Sequence, residues 1–143
     1  AVWVQPPGAY SNSNKPSFAE TQIVDSTHPS GGAMLHVNTR GVASGVFQRF
    51  IDRGPENGSA CVWLYVVRGK VSVGLGNGGG SGATGMTVTQ KGKWMRVQIP
   101  NANSDVNQIC IYSCWECPDG AEYYIQSALV TSSPIEEVCC SPK

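Results

Sequence analysis

The feature that most constrains the fold is an apolar run in the middle of the chain, residues 61–67, which reads Cys-Val-Trp-Leu-Tyr-Val-Val. A second run follows at 71–75, then a glycine-rich stretch at 76–85, then runs at 86–89 and 93–99. Val, Ile, Thr, Trp and Tyr favour strands and Gly, Asn and Pro mark turns, so four strands are predicted here, with no helix. A strand that is apolar throughout is either covered on both faces or forms an apolar floor under a groove.

The run at 94–99 alternates in polarity. One face would carry the apolar side chains of Met95, Val97 and Ile99, and the other would carry Trp94, Arg96 and Gln98. A period of two residues is typical of a strand that buries one face and leaves the other accessible.

Comparable runs occur along the rest of the chain, at 18–24, 33–39, 45–51, 107–112 and 121–130. Together they predict about nine short strands separated by turn signals, which is typical of an all-β sandwich or barrel. A chain of 143 residues predicts one domain. Residues 1–14 are interpreted as an extended arm, in which Trp3 is expected to cover one end of the core rather than contact a ligand, and 131–143 as a cysteine-rich tail.

Charge and hydropathy exclude some partners. The formal net charge is +0 and charged residues make up 14% of the chain, so no nucleic-acid or membrane partner is predicted. No apolar run approaches the roughly 20 residues of a membrane helix. The chain begins at Ala1 without a signal peptide, as a mature secreted product or an excised domain would.

The cysteines indicate an oxidising compartment. An even count in a small, loop-rich chain favours disulfides and secretion over a zinc site built on the Cys114-x-x-Cys117 pair. The six residues are Cys61, Cys110, Cys114, Cys117, Cys139 and Cys140. Cys61 with Cys110 is a plausible pair because both lie in predicted strands, and Asn57 begins a glycosylation sequon.

No catalytic constellation is recognisable in the sequence. The acidic residues fall mostly in loops, and no two lie at i and i+2 of one strand, where both would face one glycosidic bond. The only histidines are His28, in a predicted turn, and His36, on the outer face of a predicted strand. The protein is therefore predicted not to be an enzyme.

What remains is a set of polar and aromatic side chains on strand faces and in one loop. Amide and guanidinium groups hydrogen-bond sugar hydroxyls, and flat rings stack on the C–H face of a sugar. The alternative is the solvated outer face of a sandwich. The predicted ligand-binding residues are Gln48, Arg49, Arg96, Gln98, Gln108, Tyr112, Trp115 and Tyr124.

Five segments, in order, resemble the jelly-roll carbohydrate-binding modules of families 4, 9, 16 and 22. They are 18–20 (Phe-Ala-Glu), 24–37 (Val-Asp-Ser-Thr-His-Pro-Ser-Gly-Gly-Ala-Met-Leu-His-Val), 45–48 (Gly-Val-Phe-Gln), 92–97 (Gly-Lys-Trp-Met-Arg-Val) and 122–130 (Glu-Tyr-Tyr-Ile-Gln-Ser-Ala-Leu-Val). The resemblance covers residues 14–130. It implies an antiparallel β-sandwich of jelly-roll type, with a glycan groove on a concave sheet.

The resemblance also implies roles for individual residues. Arg96, Gln98, Gln108 and Tyr112 would face the groove, whereas Trp63 and Tyr65 fall where the family packs its core. Trp115 would either close one end of the groove or anchor a loop. Two residues depart from the family pattern. Val66 stands where binders often place an aromatic residue, and Gln126 replaces the usual Asp, which argues against the structural calcium of many such modules. No cofactor is predicted.

The resulting hypothesis is a secreted, non-catalytic carbohydrate-binding module. Its partner would be a polysaccharide or oligosaccharide, and the protein would be a monomer or part of a larger modular protein. One alternative is a structural or protein-interaction sandwich, which an apolar concave face around Leu64 and Val66 would favour. The other is a jelly-roll polysaccharide lyase or hydrolase.

Overall fold

The structure, a computed structural model, describes residues 18–29, 31–42, 44–49, 59–76, 84–99, 108–114 and 116–131. The predicted arm at 1–14, the sequon at Asn57, Trp115 and the tail beyond residue 131 lie outside the described residues. Nothing in the described ranges forms a helix long and apolar enough to cross a membrane.

Nine strands make up the described structure, as the sequence predicts. Their bounds lie within a few residues of the predicted ones. They are β1 (Phe18–Asp25), β2 (Ala33–Arg40), β3 (Gly45–Arg49), β4 (Ser59–Arg68), β5 (Val71–Gly76), β6 (Thr84–Val88), β7 (Trp94–Ile99), β8 (Gln108–Ser113) and β9 (Glu122–Thr131).

The strands form two antiparallel sheets. The five-stranded sheet has the order β1-β2-β9-β4-β7 and the four-stranded sheet the order β3-β8-β5-β6. Apart from the β1–β2 and β5–β6 pairs, each strand lies in the other sheet from the strand before it. This alternation produces the predicted jelly-roll type of sandwich, and it separates side chains that are near each other in sequence.

Aliphatic side chains fill the space between the sheets. Val62, Leu64 and Val66 of β4 have no exposed surface, and Val97 and Ile99 of β7 are buried beside them. The prediction for β7 is therefore confirmed. The prediction that Trp63 and Tyr65 belong to the core is wrong, because both are half-buried and lie on the opposite face of β4 from Leu64. Leu64 and Val66 belong to the core, not to an apolar outer face.

One tyrosine joins the two sheets across the core. Tyr123 of β9 donates its hydroxyl to the backbone oxygen of Ile111 in β8, at 2.5 Å. Gly45 makes room for this contact. A Cβ atom on Gly45 would lie 2.2 Å from the Ile111 oxygen and 2.5 Å from the Tyr123 hydroxyl. A larger residue at position 45 would therefore push the sheets apart at this point.

The cysteines follow the sequence prediction only in part. Cys114 and Cys117 form a disulfide, so this pair does not provide zinc ligands. The predicted Cys61–Cys110 disulfide is wrong. Cys61 lies opposite Gln98 on the outer face of the five-stranded sheet, whereas Cys110 lies opposite Phe47 on the outer face of the other sheet. The two side chains thus point away from each other on opposite sides of the sandwich.

Candidate ligand-binding face

Aromatic side chains gather on the outer face of the five-stranded sheet, the face turned away from the core. We call this surface the aromatic face. Tyr65 of β4 lies directly opposite Trp94 of β7 on one side and Tyr124 of β9 on the other. The same cross-strand row continues to His36 on β2. Trp63, two residues before Tyr65, and His28, in the β1–β2 turn, complete the aromatic face.

The rings contact one another in an unbroken series across the sheet. The His28 ring lies 4.6 Å from that of Trp63 and 5.0 Å from that of Trp94. The ring of Tyr65 is 5.6 Å from that of Trp94 and 6.0 Å from that of Tyr124, both in edge-to-face geometry. His36 stacks on Tyr124 at 4.8 Å. Ring pairs at these distances hold each other in place, so the aromatic face is a fixed surface.

The β1–β2 turn folds over one end of this face. His28 is 4% exposed although its neighbours Thr27 and Pro29 are exposed, because its ring packs against the two tryptophans. Gln126 of β9 holds the turn from below. Its amide nitrogen donates to the backbone oxygen of Gly31 at 2.8 Å, and its amide oxygen accepts from the Ser26 hydroxyl. The turn therefore forms a wall at the Trp63 end of the aromatic face.

Polar side chains border the opposite end. The Nε2 atom of His36 lies 2.8 Å from a carboxylate oxygen of Glu122. Beside them, Arg68 donates to the side-chain oxygen of Asn38 at 2.9 Å and to the backbone oxygen of Asp119 at 2.7 Å. A ligand on the rings would meet charged and amide groups here, beyond the apolar floor.

Trp94 carries an unusual polar atom. Its indole nitrogen is buried and has no hydrogen-bond partner among the described residues. Buried donors are normally satisfied by protein or by ordered water, so this N–H is a donor that water or a bound group can use.

The structure brings together three of the predicted ligand-binding residues. Arg96 and Gln98 lie on the outer face of β7, opposite Trp63 and Cys61 respectively. Tyr124 lies on the same face of β9, opposite Tyr65. Arg96 is exposed, and Gln98 and Tyr124 are half-buried.

Four other predicted residues lie in the four-stranded sheet, away from the aromatic face. Gln48 is half-buried opposite Ile109, on the side of β3 that faces the core. Arg49 pairs with Gln108 in the backbone register, and Tyr112 is buried opposite Gly45. The expectation that Gln108 and Tyr112 share a groove with Arg96 is therefore wrong, because β7 and β8 belong to different sheets. The prediction for Trp115 lies outside the described residues.

Sequence reasoning missed Trp63, Tyr65, Trp94 and His28 as candidate site residues. A signal for three of them was present, since the alternation in β7 already placed Trp94 on the accessible face and side-chain chemistry distinguished Trp63 and Tyr65 in β4. Trp and Tyr carry a polar tip that needs a partner or water, whereas Val and Leu do not, so Val62, Leu64 and Val66 were the better candidates for the core face of β4. No comparable signal marked His28, because only the tertiary structure folds its turn onto the tryptophans.

Comparison with solved structures extends this picture. The chain is similar to an arabinose-bound α-L-arabinofuranosidase, MgGH51, with 13% identity and a TM-score of 0.60, covering 91% of this chain and 23% of that enzyme. It is also similar to the family 11 carbohydrate-binding module of the cellulosomal cellulase Lic26A-Cel5E of Clostridium thermocellum, with 10% identity and a TM-score of 0.57, covering 88% of this chain and 85% of that module. The chain therefore shares its fold with this family 11 module and with a part of that enzyme.

A third similar structure is a mutant of CBM29-2, a family 29 carbohydrate-binding module, complexed with cellulohexaose. It shows 13% identity and a TM-score of 0.52, covering 90% of this chain and 89% of that chain. No family model and no curated protein sequence matches this chain. The resemblance to carbohydrate-binding modules is thus confirmed for the fold, and the assignment to families 4, 9, 16 and 22 stays a prediction.

The residues at Gln126 do not fit a calcium ion. Calcium takes oxygen ligands, most of them carboxylates and carbonyls. Here an amide N–H donates to the Gly31 carbonyl, and the amide oxygen accepts from the Ser26 hydroxyl, so a hydrogen-bonded amide links β9 to the turn. Across the described ranges, no three His, Cys, Asp or Glu side chains converge to form a metal site.

Proposed function

We propose that the protein is a secreted, non-catalytic carbohydrate-binding module whose aromatic face binds a polysaccharide or oligosaccharide. The observation that carries this proposal is the row of Trp94, Tyr65 and Tyr124, half-buried on three adjacent strands and turned away from the core. The shared fold with a family 11 module and with a family 29 module bound to cellulohexaose supports it.

The row matches the chemistry of a sugar chain. A pyranose ring has an apolar C–H face, which packs on an aromatic ring, and hydroxyls at its rim, which need donors and acceptors. On this face the rings form the floor, while Arg96 and Gln98 on one side and Glu122 on the other supply polar groups. Neighbouring strands are spaced by about 4.8 Å, so a chain lying across them would meet a ring on each of three successive strands.

A rigid sheet suits weak but specific binding. Because the rings are already held by their neighbours, little side-chain freedom is lost when a ligand binds. The surface is open and partly polar, and we expect dissociation constants from micromolar to millimolar, about −8 to −4 kcal/mol.

The non-catalytic part of the proposal rests on the carboxylates. On the aromatic face, Glu20 and Glu122 lie on either side of Asn38 in the register, and Glu122 is bound to His36. A hydrolase would need two carboxyl groups at a defined separation about the scissile bond, one of them free to act as an acid. Prolonged incubation with bound polymers should release no reducing ends. Release that is lost in Glu122→Gln would show an enzyme instead.

Secretion belongs to the same proposal. The Cys114–Cys117 disulfide suits an oxidising compartment, where extracellular polysaccharides are also found.

The direct test is affinity electrophoresis against soluble β-glucans, xylans, mannans and pectins. At least one polymer should retard the wild-type protein, and Tyr65→Ala and Tyr124→Ala should each abolish or strongly reduce that retardation. Ile23→Ala is the matched control. It removes an apolar side chain that is 75% exposed on the other face of the same sheet, and retardation should be unchanged.

Circular dichroism of each variant would separate lost binding from lost folding. Absence of retardation by every polymer would reject a glycan-binding function and favour a protein-interaction sandwich. Retardation that survives both tyrosine substitutions would keep the function and reject the aromatic face as its site.

A further inference from the structure

A cleft lies where the edges of the two sheets meet, beside the aromatic face. Strand β6 is the last strand of the four-stranded sheet and β7 the last of the five-stranded sheet. The cleft between them has a volume of about 430 Å³, within the range of small-molecule sites. The described residues that line it come from these two strands and the turn between them.

The lining combines an apolar floor with a polar rim. Met86, Val88, Met95 and Val97 form the apolar part, whereas polar atoms come from Thr87, Thr89, Gln90, Arg96 and Gln98. Arg96 belongs to both surfaces, since it lines the cleft and also lies opposite Trp63 on the aromatic face. A ligand lying across the rings would therefore reach the cleft at Arg96.

The charge around the cleft is one-sided. Residues 84–99 include Lys91, Lys93 and Arg96 but no Asp or Glu, although the whole chain has a formal net charge of +0. All three basic residues are exposed, and the Lys91 ammonium group lies 3.5 Å from the backbone oxygen of Thr89 at the cleft wall. Within the described residues, the Arg96 guanidinium forms no hydrogen bond or ion pair.

None of the described carboxylates belongs to β6, β7 or the turn between them. Glu20, Asp25 and Glu122 belong to β1 and β9, and Glu116 and Asp119 to the segment before β9. Along the β7 edge of the aromatic face, the positive charges thus have no described carboxylate on the same strand or turn, whereas Glu122 at the other end lies opposite Arg68 and is bound to His36. A ligand that complements this distribution is anionic where it meets β7.

We propose that this protein binds an acidic polysaccharide, with the carboxylate of a uronic acid residue held by Arg96 at the mouth of the cleft. This inference rests on the proposed glycan-binding function and names the class of glycan. The sugar rings lie on the aromatic face, and the sugar unit that reaches the β7 edge is the one that carries the carboxylate.

Arginine is suited to this role for two reasons. Its planar guanidinium matches a carboxylate with two parallel hydrogen bonds, which orients the sugar as well as attracting it. Lys91 and Lys93 add a positive field that extends about 8 Å at physiological ionic strength and draws an anionic chain toward the same edge.

The test compares matched ligands. Polygalacturonate, alginate and glucuronoxylan are each paired with their own carboxyl-reduced form, which keeps the backbone but loses the charge. At least one acidic polymer should bind more tightly than its reduced partner, and its advantage should shrink as salt is raised from 50 to 500 mM.

Two variants, each of which removes one positive charge, test whether the preference for the acidic polymer depends on Arg96. Arg96→Gln should weaken binding of the acidic polymer by about three- to tenfold, the range for one charge-assisted contact at an exposed position, and should weaken binding of the reduced polymer less, so that the preference for the acidic form is lost. Lys70→Gln removes an exposed positive charge outside the cleft and the aromatic face and should retain the preference. Both substitutions are at exposed side chains, so folding should be preserved.

Each outcome decides between the two proposals. Equal binding of acidic and reduced polymers, lost in Tyr65→Ala, would overturn the uronate proposal and leave the glycan-binding function intact. A preference for the acidic form that survives Arg96→Gln would overturn the assigned site. No binding of any polymer in either form would overturn both.

Discussion

Tyr123 shows how one buried side chain connects the two sheets. It has no exposed surface, and its hydroxyl donates to the Ile111 backbone oxygen across the core. Burial raises the pKa of Tyr123 far above the ordinary value of 10, because an ionised phenolate would lose its hydration. The raised pKa links this residue to the stability of the protein in alkali.

The direction in which pH changes the free energy of unfolding follows from the difference between the folded-state and unfolded-state pKa of Tyr123. The folded-state pKa lies above the unfolded value, so the contribution is fully present below about pH 10 and is lost as the pH rises further. Above pH 10 the wild-type free energy of unfolding should fall by about 1.4 kcal/mol per pH unit from this residue alone. Urea unfolding from pH 8 to 11.5 measures it.

Tyr123→Phe isolates this contribution. At pH 8 the variant should be about 1 kcal/mol less stable, because it leaves the Ile111 oxygen without this donor. Its stability should fall less steeply above pH 10, so that the wild-type advantage shrinks and then reverses. A difference that stays constant with pH would contradict the assignment.

Among the elements, the β1–β2 turn has the most direct influence on the aromatic face. Its position depends on two backbone hydrogen bonds within the turn, Ser26 N–H to Gly32 O and Gly31 N–H to His28 O, both at 2.9 Å. Gln126 adds the link to the sheet below. The turn therefore keeps His28 against the tryptophans through a few polar contacts and one ring.

Gln126→Ala should loosen this turn without unfolding the sandwich. Two side-chain hydrogen bonds are lost, each contributing about 1 kcal/mol, and amide exchange at Ser26 and Gly31 should accelerate by about tenfold or more. Gln22→Ala, an exposed glutamine on β1, is the matched control and should leave both rates unchanged. Unaltered exchange in Gln126→Ala would show that the backbone hydrogen bonds and the His28 ring hold the turn without Gln126.

At the scale of the whole molecule, β4 decides which face is core and which face is site. Leu64 has no exposed surface and packs between the sheets, whereas Tyr65, the next residue, is half-buried on the aromatic face. Adjacent substitutions should therefore have opposite consequences for stability and for binding.

Leu64→Ala should lower the free energy of unfolding by about 2–5 kcal/mol, because it leaves a cavity in the core. Tyr65→Ala should cost no more than about 2 kcal/mol, as is usual for a partly exposed position, yet remove glycan binding. Urea unfolding together with affinity electrophoresis measures both quantities. A larger stability loss for Tyr65→Ala than for Leu64→Ala would contradict the observed orientation of β4.

The local sequence was sufficient to predict the strands and turns. Glycine and proline mark the turns, and the alternation in β7 assigned Val97 and Ile99 to the core and Arg96 to the outer face correctly. In β2, the prediction likewise placed His36 on the outer face, and its neighbour Val37 is buried in the core. These predictions hold because the period of two and the polarity contrast are properties of the strand itself.

Predicting the site required information that the sequence of no single strand carries. In β4 every position of the apolar run is hydrophobic, so periodicity gives no preference between Leu64 and Tyr65, and the face is chosen by what the opposite sheet covers. Tyr112 and Arg96 are separated because strand pairing, a long-range property, places β7 and β8 in different sheets. The sequence by itself determined the strands, the turns and the all-β class. The tertiary structure decided which rings remain outside the core, because burial depends on partners distant in the chain.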